Sequence, residues 1–159
     1  MGVEIERKFL LRDARWRDAV QDRDGQRIQQ AFLSTDPDRT VRVRVVGQQG
    51  WLTIKARGSG ATRPEFEYEI PASEAEALIN KHCLRPIIDK TRYLVVHDGN
   101  RWEIDEFHAE NAGLVLAELE LLSEDQGFAR PEWLGDEVTE DFRYANSSLA
   151  LRPFLLWDE

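Results

Sequence analysis

Residues 65–70 read EFEYEI, with a carboxylate at every second position and Phe66, Tyr68 and Ile70 between. A period of two fits a strand, whose side chains point alternately to opposite faces; on a helix the same charges would scatter round the cylinder. The pattern recurs along the chain. Glu4, Glu6 and Lys8 in MGVEIERKFLL oppose Val3, Ile5 and Phe9. Arg42 and Arg44 in RTVRVRVV oppose Val41, Val43 and Val45, and Thr53, Lys55 and Arg57 in WLTIKAR oppose Leu52, Ile54 and Ala56. Lys90 and Arg92 share a face of DKTRYLVVH, as do Arg101, Glu103 and Asp105 in NRWEIDEFH, opposite Trp102 and Ile104. Glu118 and Glu120 in LVLAELELL oppose Ala117, Leu119 and Leu121. With the weaker segment QRIQQAFLS these make eight strand candidates.

Short connections make neighbouring strands antiparallel. GQQG and Asp98-Gly99 are hairpin signals, TDPD is a turn, and Pro64 and Pro71 bracket a strand at positions that need no ladder N–H. DARWRDAV reads as a short helix capped by Asp13. ASEAEALINKHC reads as a longer one, with Ser73 at the cap, Glu76 three residues on, and Ala77, Leu78 and Cys83 on its apolar side. From Ser123 onward the chain is mixed turns and short helices, including an acidic stretch over 136–141 expected to face water. The expectation is an α+β, mainly antiparallel fold: an eight-stranded closed β-barrel with helices packed outside, one domain over residues 1–159.

A half-buried strand usually turns its charges to water. Two features point the other way here. The rows are sorted by sign, whereas a surface tends to intersperse like charges because they repel at adjacent positions. The opposite faces carry bulky apolar residues that outside helices can cover. The charged rows are therefore expected to face a polar lumen. Clustered Arg and Lys suit phosphate oxygens, and paired carboxylates are hard oxygen ligands for Mg²⁺ or Mn²⁺. Together they suit a polyphosphate and its phosphoryl transfer. A glycosidase-like carboxylate pair would leave the bases idle.

The formal net charge of −9 argues against broad binding to nucleic acid or anionic membrane. With no membrane-length apolar run, no signal-peptide pattern and Cys83 alone, a cytoplasmic location is expected. His82, His97 and His108 lack metal-ligand spacing, Ser147 and Ser148 lack a nucleophile-elbow context, and no Gly-Lys-Ser/Thr follows a glycine loop.

The N-terminal EIERK resembles the signature of the CYTH superfamily, the triphosphate tunnel metalloenzymes. RVRV, LTIKAR, EFEYEI, KTRY, WEIDEF, LAELEL and EVTEDFRYANSSLA resemble that family's successive blocks, in order, over essentially the whole chain. The resemblance implies the triphosphate tunnel fold and a divalent-metal-dependent triphosphatase. Lys8, Arg42, Arg44, Lys55, Arg57, Lys90 and Arg92 would bind the phosphates. Glu118 and Glu120, with Glu4 and Glu6, would hold Mg²⁺ or Mn²⁺. Glu6, Lys8, Glu65 and Glu67 would serve catalysis, the carboxylates by holding a second metal or orienting water. Asp105 fits an acidic lumen position without an assigned role, Glu103 is likewise unassigned, and Glu69 follows the parity towards the mouth. Arg143 and Tyr144 would close or support the tunnel. Inorganic triphosphate is the expected substrate, hydrolysed to diphosphate and phosphate. The family also contains class IV adenylate cyclases, which make cyclic AMP from ATP, and thiamine and nucleoside triphosphatases. A non-catalytic polyphosphate- or nucleotide-binding module is the alternative from another class. The implied partners are a small anionic triphosphate and, in a homodimer, a second copy of the chain, with neither nucleic acid nor membrane.

Overall fold

A computed structural model describes residues 2–157. All eight expected strands are present: β1 (Gly2–Leu11), β2 (Gln26–Ser34), β3 (Arg39–Val46), β4 (Gln49–Ala56), β5 (Thr62–Ile70), β6 (Ile88–His97), β7 (Asn100–Phe107) and β8 (Val115–Glu120). A ninth, β9 (Leu134–Glu137), comes from the tail, as does the short helix α2 (Asn146–Leu151); α1 (Ala72–Lys81) follows β5. Every pairing is antiparallel. The order β5-β4-β3-β2-β6-β7-β8-β1 closes into a barrel because β1 also pairs with β5. β9 lies beside the end of β1 that β5 leaves free, at Phe9 and Leu11.

The tight hairpins follow from their turns. Gly47 (φ 58°) sits between β3 and β4, and Asp98 and Gly99 (φ 51° and 80°) between β6 and β7. Positive φ at both central residues gives a turn whose twist matches the flanking strands.

Some local expectations change. Ser73 lies inside the first turn of α1, which starts directly after Pro71 and has no side-chain cap. The Pro71 carbonyl instead accepts from the amides of Glu74 and Ala75. Ala75 and Ile79 form the buried stripe of α1, while Ala77 is exposed. DARWRDAV forms a five-residue 3₁₀ helix, Arg15–Ala19, with Asp13 accepting from the Arg15 amide. β5 starts two residues before Pro64, which pairs with Val3 of β1.

The apolar strand faces point outward and are largely covered, although Val3, Leu33 and Tyr68 stay exposed. α1 packs Ala75 and Ile79 against Ala31 and Val43. Phe9, Trp16, Trp102, Ile104, Leu119 and Trp133 build an aromatic-rich core on another flank, where Phe9, Trp102 and Trp133 meet edge to face. Burial of such faces is the main driving force for closure.

The inward rows change character along the barrel. Lys8 is followed in its row by Leu10, Lys90 is preceded by Ile88, Asp105 is followed by Phe107, and Glu118 is preceded by Leu116. Leu10, Ile88, Phe107 and Leu116 join Phe32 with Leu149 and Ala150 of α2 in one apolar cluster. The lumen is thus charged over part of its length and filled by an apolar floor at the α2 end. Among the described residues no helix is long and apolar enough to cross a membrane.

Candidate active site: a charged cavity inside the barrel

The charged part of the lumen is a cavity of about 370 Å³. Period two on closed strands delivers its lining. β1 contributes Glu4, Glu6 and Lys8; β3 contributes Arg42 and Arg44; β4 contributes Lys55. Glu65 and Glu67 come from β5, Lys90 and Arg92 from β6, Glu118 and Glu120 from β8. The register sets neighbours: Lys55 lies opposite Glu65, Arg92 opposite Asp105, Lys8 opposite Glu118 and Glu6 opposite Glu120.

Arg57 departs from the expectation. It lies just past the end of β4, where the chain turns away and strand parity no longer governs, and its exposed guanidinium pairs with Asp38. Glu69 is exposed and outside the cavity lining. Glu103 lines the cavity, whereas Asp105 is buried behind it as a counter-ion. Arg143 is exposed and bound to Asp141, so Tyr144 alone of that pair reaches the site, through its backbone: its carbonyl accepts from Lys8 Nζ at 3.1 Å.

Two cavity residues, Arg63 and Asn146, and one buried beside the cavity, Gln30, carried no prior assignment. Arg63 lines the cavity, donating to the Ala56 carbonyl and the Thr40 hydroxyl. It shares parity with Glu65 and Glu67 and becomes visible once β5 is read through Pro64. Gln30 and Asn146 are neutral, so a search for charge passes them by. Yet Asn146 Oδ1 accepts from both Gln30 Nε2 (2.6 Å) and Lys90 Nζ (2.9 Å), and Gln30 Oε1 accepts from Arg44 Nε (2.8 Å).

The cations fall into two groups. Lys90, only 1% exposed, pairs with Asp105 at 2.7 Å. Arg92 donates to Asp105 through two nitrogens and reaches Glu118 at 3.2 Å and Glu103 at 3.3 Å. Lys55 binds Glu4 at 2.8 Å. By contrast, among the described residues neither Arg44 nor Arg63 has a carboxylate partner. Arg42 reaches Glu67 at only 3.4 Å, and its buried Nε has no acceptor. A buried, unpaired donor is costly, and an anion would relieve it.

Titration follows this geometry. Burial lowers Arg44 to about 9, with Arg42 and Arg92 pressing the same way. Burial also lowers Lys90 to about 8 against the opposing pull of Asp105, while Arg92 and Arg44 lower it further. Burial works against ionisation of Asp105 and Glu118, yet neighbouring cations hold both carboxyls below their usual range, Arg92 and Lys90 for Asp105, Lys8 and Arg92 for Glu118. Glu6 is pushed well up by burial and by the charges of Glu118 and Glu4. Burial and neighbouring carboxylates also raise Glu65 and Glu120. Burial opposes ionisation of Glu4 too, but Lys55 holds its carboxyl down.

Among the described residues no three acidic, His or Cys side chains form a ready-made metal cage. The donor chemistry nevertheless fits a hard divalent cation. The charge of Glu118 raises the carboxyls of Glu4 and Glu6, and that of Glu4 raises Glu6 and Glu120, so a cation would relieve a crowding of hard oxygen donors.

Fold and site together define an inside-out barrel, apolar outside beneath its helices and cation-lined within. The chain belongs to the CYTH domain family, whose profile matches residues 2–154. A curated protein of Acetivibrio thermocellus named inorganic triphosphatase is 43% identical over 154 residues, 97% of each chain. One of Nitrosomonas europaea with the same name is 40% identical over 153 residues, covering 94% of this chain and 97% of its own. A crystal structure of an inorganic triphosphatase superposes with a TM-score of 0.64 at 36% identity, covering 93% of this chain and 97% of that one. A putative adenylate cyclase of Bacillus halodurans has a TM-score of 0.60 at 14% identity over 79% of this chain and 84% of its own; that likeness bears on the fold alone.

Proposed function

We propose that this protein hydrolyses inorganic triphosphate to diphosphate and phosphate in the charged lumen, with a divalent cation. The observation that carries the reading is the set of cavity cations without matching counter-charge: Arg44, Arg63 and the acceptorless Nε of Arg42. A triphosphate is a compact chain of acceptors with several negative charges, and it suits that deficit. The names of the relatives at 43% and 40% identity support the choice of substrate.

In this mechanism Arg42, Arg44, Lys55, Lys90 and Arg92, with Lys8 and Arg63, bind and orient the phosphates. Positioning and charge stabilisation supply most of the catalysis in phosphoryl transfer. Fixed guanidinium donors act strongly in a cavity that excludes bulk water. Glu6, Glu65 and Glu67 hold the attacking water. The raised carboxyl of Glu65 suits a group that takes a proton from it. Glu4, Glu6, Glu118 and Glu120 would hold Mg²⁺ or Mn²⁺, which neutralises phosphate charge and favours in-line attack.

The test is phosphate release from tripolyphosphate, ATP and thiamine triphosphate, each with Mg²⁺, Mn²⁺ or chelator. Turnover of tripolyphosphate that vanishes with chelator is expected. Turnover that ignores the chelator would remove the metal, and no turnover of any triphosphate would remove the enzyme.

A further inference from the structure

Beside the cavity two neutral amides, Asn146 in its lining and Gln30 outside it, stand between two cations. Gln30, on β2, is fully buried and spends both ends of its amide, its carbonyl on Arg44 Nε and its NH₂ on Asn146 Oδ1. The same Asn146 oxygen accepts from Lys90 Nζ. Asn146 is the first residue of α2, 116 positions from Gln30 and 56 from Lys90, so the chain brings this contact together on purpose of fold alone.

The choice of amide over carboxylate has a physical consequence. A carboxylate at position 146 would accept both hydrogen bonds more strongly, and one at position 30 would keep the bond from Arg44 Nε while losing the donor to Asn146; either would also cancel positive charge. An amide oxygen satisfies the buried donors and leaves both charges in place. It also fixes direction. With Arg44 Nε held by Gln30, the guanidinium plane is set and its terminal nitrogens are left for the cavity. With two donors of Lys90 Nζ on Asp105 and Asn146, the third is left over.

We propose that Asn146 is a positioning residue which, with Gln30, aims Arg44 and Lys90 at the same phosphate of the substrate while leaving their charge uncancelled. This rests on the triphosphatase reading of the cavity. The rival role for Asn146 is to dock α2 on the barrel. Asn146→Asp keeps the shape and tests whether the neutral amide preserves positive charge, and Asn146→Ala, which adds no charge, parts the two roles. A docking residue replaced by Ala would lose thermal midpoint and keep substrate affinity, whereas a positioning residue would lose affinity.

The experiment measures tripolyphosphate affinity by calorimetry in chelator, KM and kcat with metal, and thermal midpoint, for wild type, for the charged variants Asn146→Asp and Gln30→Glu, and for the uncharged Asn146→Ala. One added negative charge a few ångströms from the anion site should weaken binding by about tenfold or more. The loss is expected mainly in KM, with a thermal midpoint equal to or above wild type. Gln30→Glu, which puts the charge on Arg44, should act in the same direction and decides the matter if Asn146→Asp does not fold. Wild-type affinity in any folded variant would overturn the proposal. Wild-type binding without turnover would instead overturn the enzymatic reading, and the affinity comparison would still judge the positioning role.

Discussion

The two walls of the cavity treat their charges differently. On the β6–β7–β8 side Lys90 and Arg92 are bound to Asp105, Glu103 and Glu118, each cation within 3.3 Å of an acid. On the β3–β4–β5 side Lys55 is bound to Glu4 at 2.8 Å, but among the described residues Arg44 and Arg63 have no acid partner and Arg42 has one distant partner. The first wall holds itself together. The second is incomplete without an anion, and the contrast separates groups that hold the barrel from groups that wait for a ligand.

Breaking the compensated wall should have the largest effect on stability. Asp105→Asn removes the one acid paired with Lys90 among the described residues and leaves Lys90 and Arg92 side by side; loss of one partner of a buried pair typically costs about 3–5 kcal/mol. Denaturant unfolding would measure it, and a wild-type midpoint would erase the distinction between the walls. Arg42→Ala should do the reverse. Turnover of tripolyphosphate should fall about 10²- to 10³-fold, as for loss of one oriented transition-state donor. The thermal midpoint should hold or rise, because the unpaired Nε leaves with the side chain.

The pH dependence sharpens the same contrast. Lys90 at about 8 and Arg44 at about 9 are both charged below pH 8 and lose charge as pH rises. Affinity for tripolyphosphate should therefore fall as pH rises through about 8 and again through about 9, by about tenfold for each positive charge lost. A KM profile in a non-chelating buffer series would test this. The smallest effect is expected at Arg57→Ala, which removes an exposed pair with Asp38 outside the cavity; turnover and thermal midpoint should stay at wild type.

Much of this was legible in the alternation of residues. Period two located eight strands, and the sorting of sign told which face turned inward, because Val43, Trp102 and Leu119 needed cover that outer elements could give. Parity failed where the strand ended. Arg57 follows the pattern in sequence but lies past β4, and Arg63 was hidden behind a proline read as a strand boundary. The apolar floor was harder to see, since Leu10, Ile88, Phe107 and Leu116 carry ordinary core residues on charged rows. Only the arrival of α2 tells that they face inward. Gln30 and Asn146 were hidden for a different reason: their importance lies in lacking a charge among groups that have one.

The way β1 is shared among its neighbours bears on how the chain assembles. It needs β5, β8 and β9, and the amide of Lys8 bonds Thr139, 131 residues further on. The Gly2–Ile5 half of β1 takes its partner from β5, whereas the half bearing Glu6 and Lys8 has none until β8 and β9 are made. Pairings of such long sequence separation are slow to form and leave an edge open to wrong partners. The alternating charges of β1 keep such an edge soluble until its partners are in place.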